Sequence, residues 1–134
     1  MERTQQFGRA EKLKRRTTIQ RLFREGQSVA AFPLRLVFVK VDAGRFPVQF
    51  GVSVGKKRFK RAPDRNRLKR QIRESYRRQK HSVWSRLPAG DTYAWMVIYT
   101  GSEAVPYAKI RRSMRKLMDR FLRDVQPKPD GTGS

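Results

Sequence analysis

The sequence predicts an α+β fold, a small mixed β-sheet packed with helices in the order α-β-β-α-β-α, with room for one extra short strand. Three observations carry this expectation. Apolar residues recur at helical spacing in three stretches, alternate at strand spacing in three others, and Gly, Pro and Asp punctuate the joins. A chain of 134 residues has room for one modest core, so a single domain over 17–125 is expected, between a basic extension at 1–16 and a flexible tail at 126–134.

The extension is polar and without sustained period, and neither end is expected to carry core. Thr17 and Gln20 have capping-box spacing, Ile19, Leu22 and Phe23 share a helical face, and Gly26 can supply a left-handed stop. A short helix over about 18–25 follows. From Pro33 to Val41, Leu34, Leu36 and Phe38 alternate with Arg35, Val37 and Val39, as a strand with two partly apolar faces would. Beyond the Asp42-Ala43-Gly44 turn signal, Val48, Phe50, Val52 and Val54 mark a second strand, expected antiparallel to the first. Pro63 suits a first helical turn and Asp64 favours its dipole, so a long basic helix is expected from about Ala62 to Lys80. Leu87-Pro88-Ala89-Gly90 breaks the chain before a third strand, Thr92 to Thr100, and Ile110, Met114, Leu117, Met118, Phe121 and Leu122 set the inner face of a last helix from about Pro106 to Val125.

Net charge is +22, and Lys56 to Lys80 alone carries thirteen Lys or Arg against Asp64 and Glu74. A run that basic repels itself and calls for a polyanion, with nucleic acid as the expected partner. The chain has no cysteine, which excludes disulfides and cysteine zinc sites and fits a reducing compartment. No stretch reads as a signal peptide or membrane helix, so a cytoplasmic address and no membrane partner are expected.

With Leu68 at 0° and about 100° per residue, Ile72 and Tyr76 fall near 40° and 80°, whereas Lys69, Arg73, Asn66, Arg77 and Arg70 span roughly 100° to 200°. Apolar and basic faces therefore oppose each other, with Arg67 on the flank. A solvated charged face would show the same segregation. Against it, Glu74 is the one acid after the first turn, and like-charge pairs such as Lys69 with Arg73 cost a few tenths of a kcal/mol each.

Arg65-Asn66-Arg67-Leu68-Lys69-Arg70-x-Ile72-Arg73-Glu74, preceded by Gly51-Val52-Ser53-Val54-Gly55-Lys56-Lys57, resembles the signature of the bacterial ribonuclease P protein family. Leu13-Lys14-Arg15 and Leu22-Phe23-x-x-Gly26-x-Ser28 extend the likeness, which covers roughly 13–122. Two departures are visible: Arg58 to Asp64 replaces a commonly shorter, glycine-containing connection, and Ile19 stands where an aromatic is often found. The resemblance implies a fold of the ribonuclease P protein / ribosomal protein S5 domain 2-like type with a left-handed β-α-β crossover. It also implies an accessory subunit whose partner, the catalytic ribonuclease P RNA, removes the 5′ leader of precursor tRNA with Mg²⁺ held mainly by the RNA. By motif position, Arg65, Asn66, Arg67, Lys69, Arg70 and Arg73 would face the catalytic RNA, together with Lys56 and Lys57 of the preceding segment and Arg77 on the same basic face of the helix. No obligate protein partner is expected.

The resemblance also implies a leader cleft between the first helix and one sheet face. Residue chemistry can be set against it, because single-strand binding wants apolar or aromatic platforms flanked by cations. Ile19 and Phe23 with Lys12 and Arg15 meet that description, and Val37 and Val39 would add strand contacts. The inner face of an amphipathic helix would look the same, so both readings of Ile19 and Phe23 stand at this point. His81 reads as a helix-end residue, Trp95 as core, Trp84 as core edge or platform, and Met114 with Met118 as packing.

No catalytic or metal-binding residues are assigned in the chain itself. The eleven acids are scattered, and one histidine cannot serve as both general acid and base. A ribosomal or architectural RNA-binding protein or RNA chaperone would use the same basic stripe and remains the alternative class. An independent nuclease is disfavoured by the residue inventory.

Overall fold

A computed structural model of the chain describes Leu13 and residues 15–125. The elements are α1 (Arg16–Glu25), β1 (Gln27–Ala31), β2 (Leu34–Val41), β3 (Val48–Val54), α2 (Ala62–Trp84), β4 (Thr92–Tyr99) and α3 (Tyr107–Val125). The sheet is mixed, ordered β1-β2-β4-β3, with β1 and β4 antiparallel to β2 and β3 parallel to β4. A parallel pair needs a long crossover, and α2 supplies it. The second and third strands in chain order do run in opposite directions, but β4 lies between them.

The extra short strand is β1, five residues paired from Gln27↔Phe38 to Ala31↔Leu34. Its sequence, QSVAA, offers mostly small or polar side chains and one buried residue, so the alternation is too faint to read alone. Two helix-end signals are corrected. Arg15, without a side-chain cap bond, takes the N-cap position of α1, leaving Thr17 inside the first turn. Gly26 is extended, φ −68° and ψ 149°, because the chain passes directly from α1 into β1. Glycine is needed there for space: a Cβ would stand 2.3 Å from the Leu22 carbonyl oxygen and 2.7 Å from Val37 Cγ1. The long helix also continues past Lys80, since Val83 and Trp84 prolong its packed side.

The two faces of the sheet are covered differently. On one, α2 and α3 pack against Leu34, Leu36, Phe38, Phe50, Trp95 and Val97, all buried. Phe38 and Phe50 flank Trp95 on neighbouring strands, and Trp95 meets Tyr76 of α2 at 5.6 Å and Phe121 of α3 at 4.8 Å between ring centroids. Fully burying side chains such as Leu68, Ile72 and Phe121 contributes about 1.5–3 kcal/mol each. The other face carries a smaller cluster: Leu22 from α1, Val37, Ala94, Met96, and Leu13 from the segment read as an extension. Leu13 also donates its backbone N–H to the Phe50 carbonyl at 3.0 Å, so part of the N-terminal stretch does contribute to the core.

Candidate nucleic-acid interface

The basic helix is set by its own apolar row. Leu68, Ile72, Tyr76 and Val83 are buried. Tyr76 stacks on Phe50 with centroids 4.1 Å apart, and its hydroxyl accepts a 3.0 Å hydrogen bond from Trp84 Nε1. Anchoring along one side fixes the helix's rotation and turns the opposite side outward. Asn66, Arg70 and Arg73 are exposed there and Lys69 is half-buried beside them. Among the described residues none of these four side chains has a hydrogen-bond or ion-pair partner. They form a row of unneutralised donors on one wall of a rigid helix, which is what phosphate oxygens along a backbone can accept.

Other members of the motif have internal partners. Arg65 donates through Nη1 to the carbonyls of Phe59, 2.8 Å, and Lys60, 3.0 Å, tying the preceding loop to the first turn. Arg58 donates to the Thr100 carbonyl and Phe59 meets Tyr99 edge-on at 5.6 Å. The lengthened connection from Arg58 to Asp64 is thus fastened to the end of β4, with Lys56 and Lys57 exposed in the turn ahead of it. Arg67 lies on the flank and lines a cleft with Gln71 and Tyr107. Arg77 makes a two-pronged pair with Glu74, 3.0 Å and 2.6 Å, and Arg78 bonds the same carboxylate at 2.5 Å. These guanidinium groups hold the Glu74 carboxyl below its ordinary range, Arg77 first and Arg78 second.

Helical position alone would add Lys80 to the basic side, near 120° on the same wheel. Instead it is buried, with Nζ 4.6 Å from the Trp84 ring centroid. A cation over an aromatic face is attracted by the ring quadrupole, which favours this placement. Trp84 also packs against Phe46 and the exposed His81 in the last turn. Trp84 is therefore a structural end-stop of the stripe, and Trp95 is core.

The α1 face brings together most residues expected of a leader cleft. Leu22, fully buried, pins α1 to the sheet, while Phe23 is 59% exposed. Of the two readings of Phe23, core packing is excluded. Ile19 and Val39 are half-buried around the cluster with Val41 and Ile98, whereas Val37 is 9% exposed and serves as floor beneath α1. Arg15 is exposed; Lys12 lies outside the described residues. Sequence reasoning missed Arg35, an exposed cation on this same face that pairs in register with Ile98. The strand alternation that grouped Arg35 with Val37 and Val39 was its signal.

The fold and these two surfaces define a class: a small basic α+β protein whose longest helix presents unneutralised cations on its exposed side. Comparison narrows the class. The family model described as Ribonuclease P matches residues 7–122. A ribonuclease P protein component from Porphyromonas gingivalis is 35% identical over 121 residues, 89% of this chain and 88% of that protein. The RNase P protein of Thermotoga maritima superposes with a TM-score of 0.64 at 29% identity, covering 82% of this chain and 96% of that one. That of Staphylococcus aureus gives 0.67 at 23% identity, covering 84% and 96%, a likeness of fold. The chain belongs to the ribonuclease P protein family.

Proposed function

We propose that this chain is the accessory protein of ribonuclease P, binding the catalytic RNA through the exposed side of α2 and the 5′ leader of precursor tRNA through the α1 face. The single observation that carries this reading is the row Asn66, Lys69, Arg70 and Arg73, held outward by the buried Leu68, Ile72 and Tyr76 and given no partner among the described residues. Phosphates of the RNA would relieve the repulsion within that row, and release of condensed counterions would drive binding. The exposed Phe23, with half-buried Ile19 and Val39 and the rim cations Arg15 and Arg35, supports a site for unpaired nucleotides, each base stacking on an apolar or aromatic surface.

In this reading the protein lowers phosphate repulsion between two RNAs and lengthens substrate residence. Bond cleavage belongs to the RNA. The Mg²⁺ such cleavage uses would be held mainly by the RNA. A cytoplasmic site of action is part of the proposal. No helix among the described residues is long and apolar enough to cross a membrane.

Purified protein incubated with precursor tRNA, with and without the catalytic RNA, tests the proposal. No cleavage is expected from protein alone, and stimulation at low Mg²⁺ is expected when the RNA is present. Cleavage by protein alone would return the chemistry to this chain. Absence of stimulation would point to an RNA chaperone using the same stripe.

A further inference from the structure

We infer that RNA contact continues across α2 into the groove between α2 and α3, where Arg78, Arg86 and Arg115 hold a strand of the ribonucleoprotein's RNA subunit. The inference rests on the RNA-docking reading of α2 and extends it to a surface that the sequence motif does not include. The groove is a concavity of about 300 Å³ with Met118 and Leu122 as its apolar floor and the three guanidinium groups on its walls. It is preformed. Gln79 Nε2 donates to the Arg111 carbonyl across the two helices at 3.3 Å, and Ser82 Oγ, facing the groove, is fixed by a 2.8 Å bond to the Gln79 carbonyl.

Charge argues for an anionic occupant. The α3 helix carries seven Lys or Arg against Asp119 and Asp124. Arg111 with Arg115, and Arg112 with Lys116, set like charges four residues apart, an arrangement that destabilises a helix. All four side chains are exposed, and among the described residues Arg86, Arg111, Arg112, Arg115 and Lys116 have no ion-pair partner. Asp119 is the one carboxylate in the groove wall and makes no ion pair with a described residue. Arg78 shares Glu74 with Arg77 on the far side of α2. That shared carboxylate is the seam between the stripe and the groove, so the two positive surfaces adjoin around a single helix.

Geometry selects the occupant. Packed helix axes lie roughly 8–10 Å apart, so the groove between them admits a single strand or one edge of a duplex, not a whole duplex. The apolar floor suits a ribose or base face and the walls suit phosphates. The groove is also on the α2/α3 side of the sheet, and the sheet separates it from the α1 face where the leader would run. A strand that already meets the stripe on α2 can turn into the groove; the leader cannot.

The test uses the full chain with Arg86→Ala/Arg115→Ala, titrated against the RNA subunit across a salt series, beside Arg70→Ala/Arg73→Ala. Circular dichroism melts check that both proteins fold. The groove pair is expected to weaken binding roughly tenfold or more, since charge-assisted hydrogen bonds are the strong ones. Its log–log salt slope should become shallower by about 1.4–1.8, two phosphate contacts' worth. A folded groove variant with unchanged affinity and slope would overturn the inference and leave a solvated face. So would unchanged affinity for the RNA subunit with weaker capture of precursor tRNA by the assembled complex, which would give the groove to the substrate. Loss of binding in the groove variant alone, with the stripe variant unaffected, would support the groove while showing that the stripe does not touch the RNA.

Discussion

The two faces of the sheet put similar side chains to different ends. Toward α2 and α3, Trp95, Phe121, Leu36 and their neighbours are sealed from water; toward α1, five buried residues are ringed by the half-buried Ile19, Val39, Val41 and Ile98, with Phe23 open to solvent. The closed face fixes the orientation of α2, and hence of its cations. The thinner face leaves apolar surface open to solvent. With the leader on the α1 face as proposed, stability and recognition are divided across one sheet, and changes on the two faces should separate cleanly.

The largest effect is expected on the closed face. Trp95→Ala should lower unfolding free energy by about 3–5 kcal/mol, because it removes a fully buried aromatic packed between Tyr76 and Phe121. Chemical denaturation measures this, and a loss below about 1 kcal/mol would mean the core can close around the gap. On the thin face, Gly26→Ala forces a methyl group against the Leu22 carbonyl and Val37 and should cost about 1–3 kcal/mol by the same assay. Wild-type stability in that variant would show that the α1–β1 junction yields freely.

Phe23→Ala should leave stability within about 0.5 kcal/mol, as expected of an exposed position. It should weaken precursor tRNA binding to the assembled complex by about 1–3 kcal/mol, the worth of one stacked base. Leaderless tRNA should bind as before; an equal loss with it would remove the leader from the α1 face. The smallest effect concerns Glu74. Its carboxyl titrates below the usual range because Arg77 and Arg78 favour its charged form. A lowered folded-state value means that the pair's contribution is complete above the ordinary carboxylate pKa and is lost as pH falls through the lowered one. Near neutrality stability should therefore be flat with respect to this group. Glu74→Gln should steepen the salt dependence of RNA binding by no more than one phosphate contact, about 0.7–0.9 in slope, by removing the carboxylate that holds Arg77 beside the stripe. An unchanged slope would show that loosening Arg77 from Glu74 adds no phosphate contact.

Much of this division could be read in the residues. Strand alternation gave β2, β3 and β4 nearly to their ends, and the wheel through Leu68, Ile72 and Tyr76 correctly opposed the apolar row to Asn66, Arg70 and Arg73. What escaped had physical causes. The β1 strand consists of small and polar residues whose pairing is decided by β2. Gly26 answered to crowding by Val37, a residue far off in sequence, instead of to a left-handed turn. Lys80 was drawn inward by Trp84, and Arg77 was engaged by Glu74, pairings that angular position does not record. Phe23 and Val37 could not be sorted into exposed platform and buried floor until α1 was set on the sheet by Leu22.

The outward cations of α2 are probed by the salt dependence of Arg70→Ala/Arg73→Ala binding to the catalytic RNA. Binding should weaken by about 1–3 kcal/mol for each guanidinium that held a phosphate through a bidentate, desolvated pair of hydrogen bonds, with a slope shallower by about 1.4–1.8. Parallel lines of equal affinity for the folded variant and the wild type would contradict this expectation.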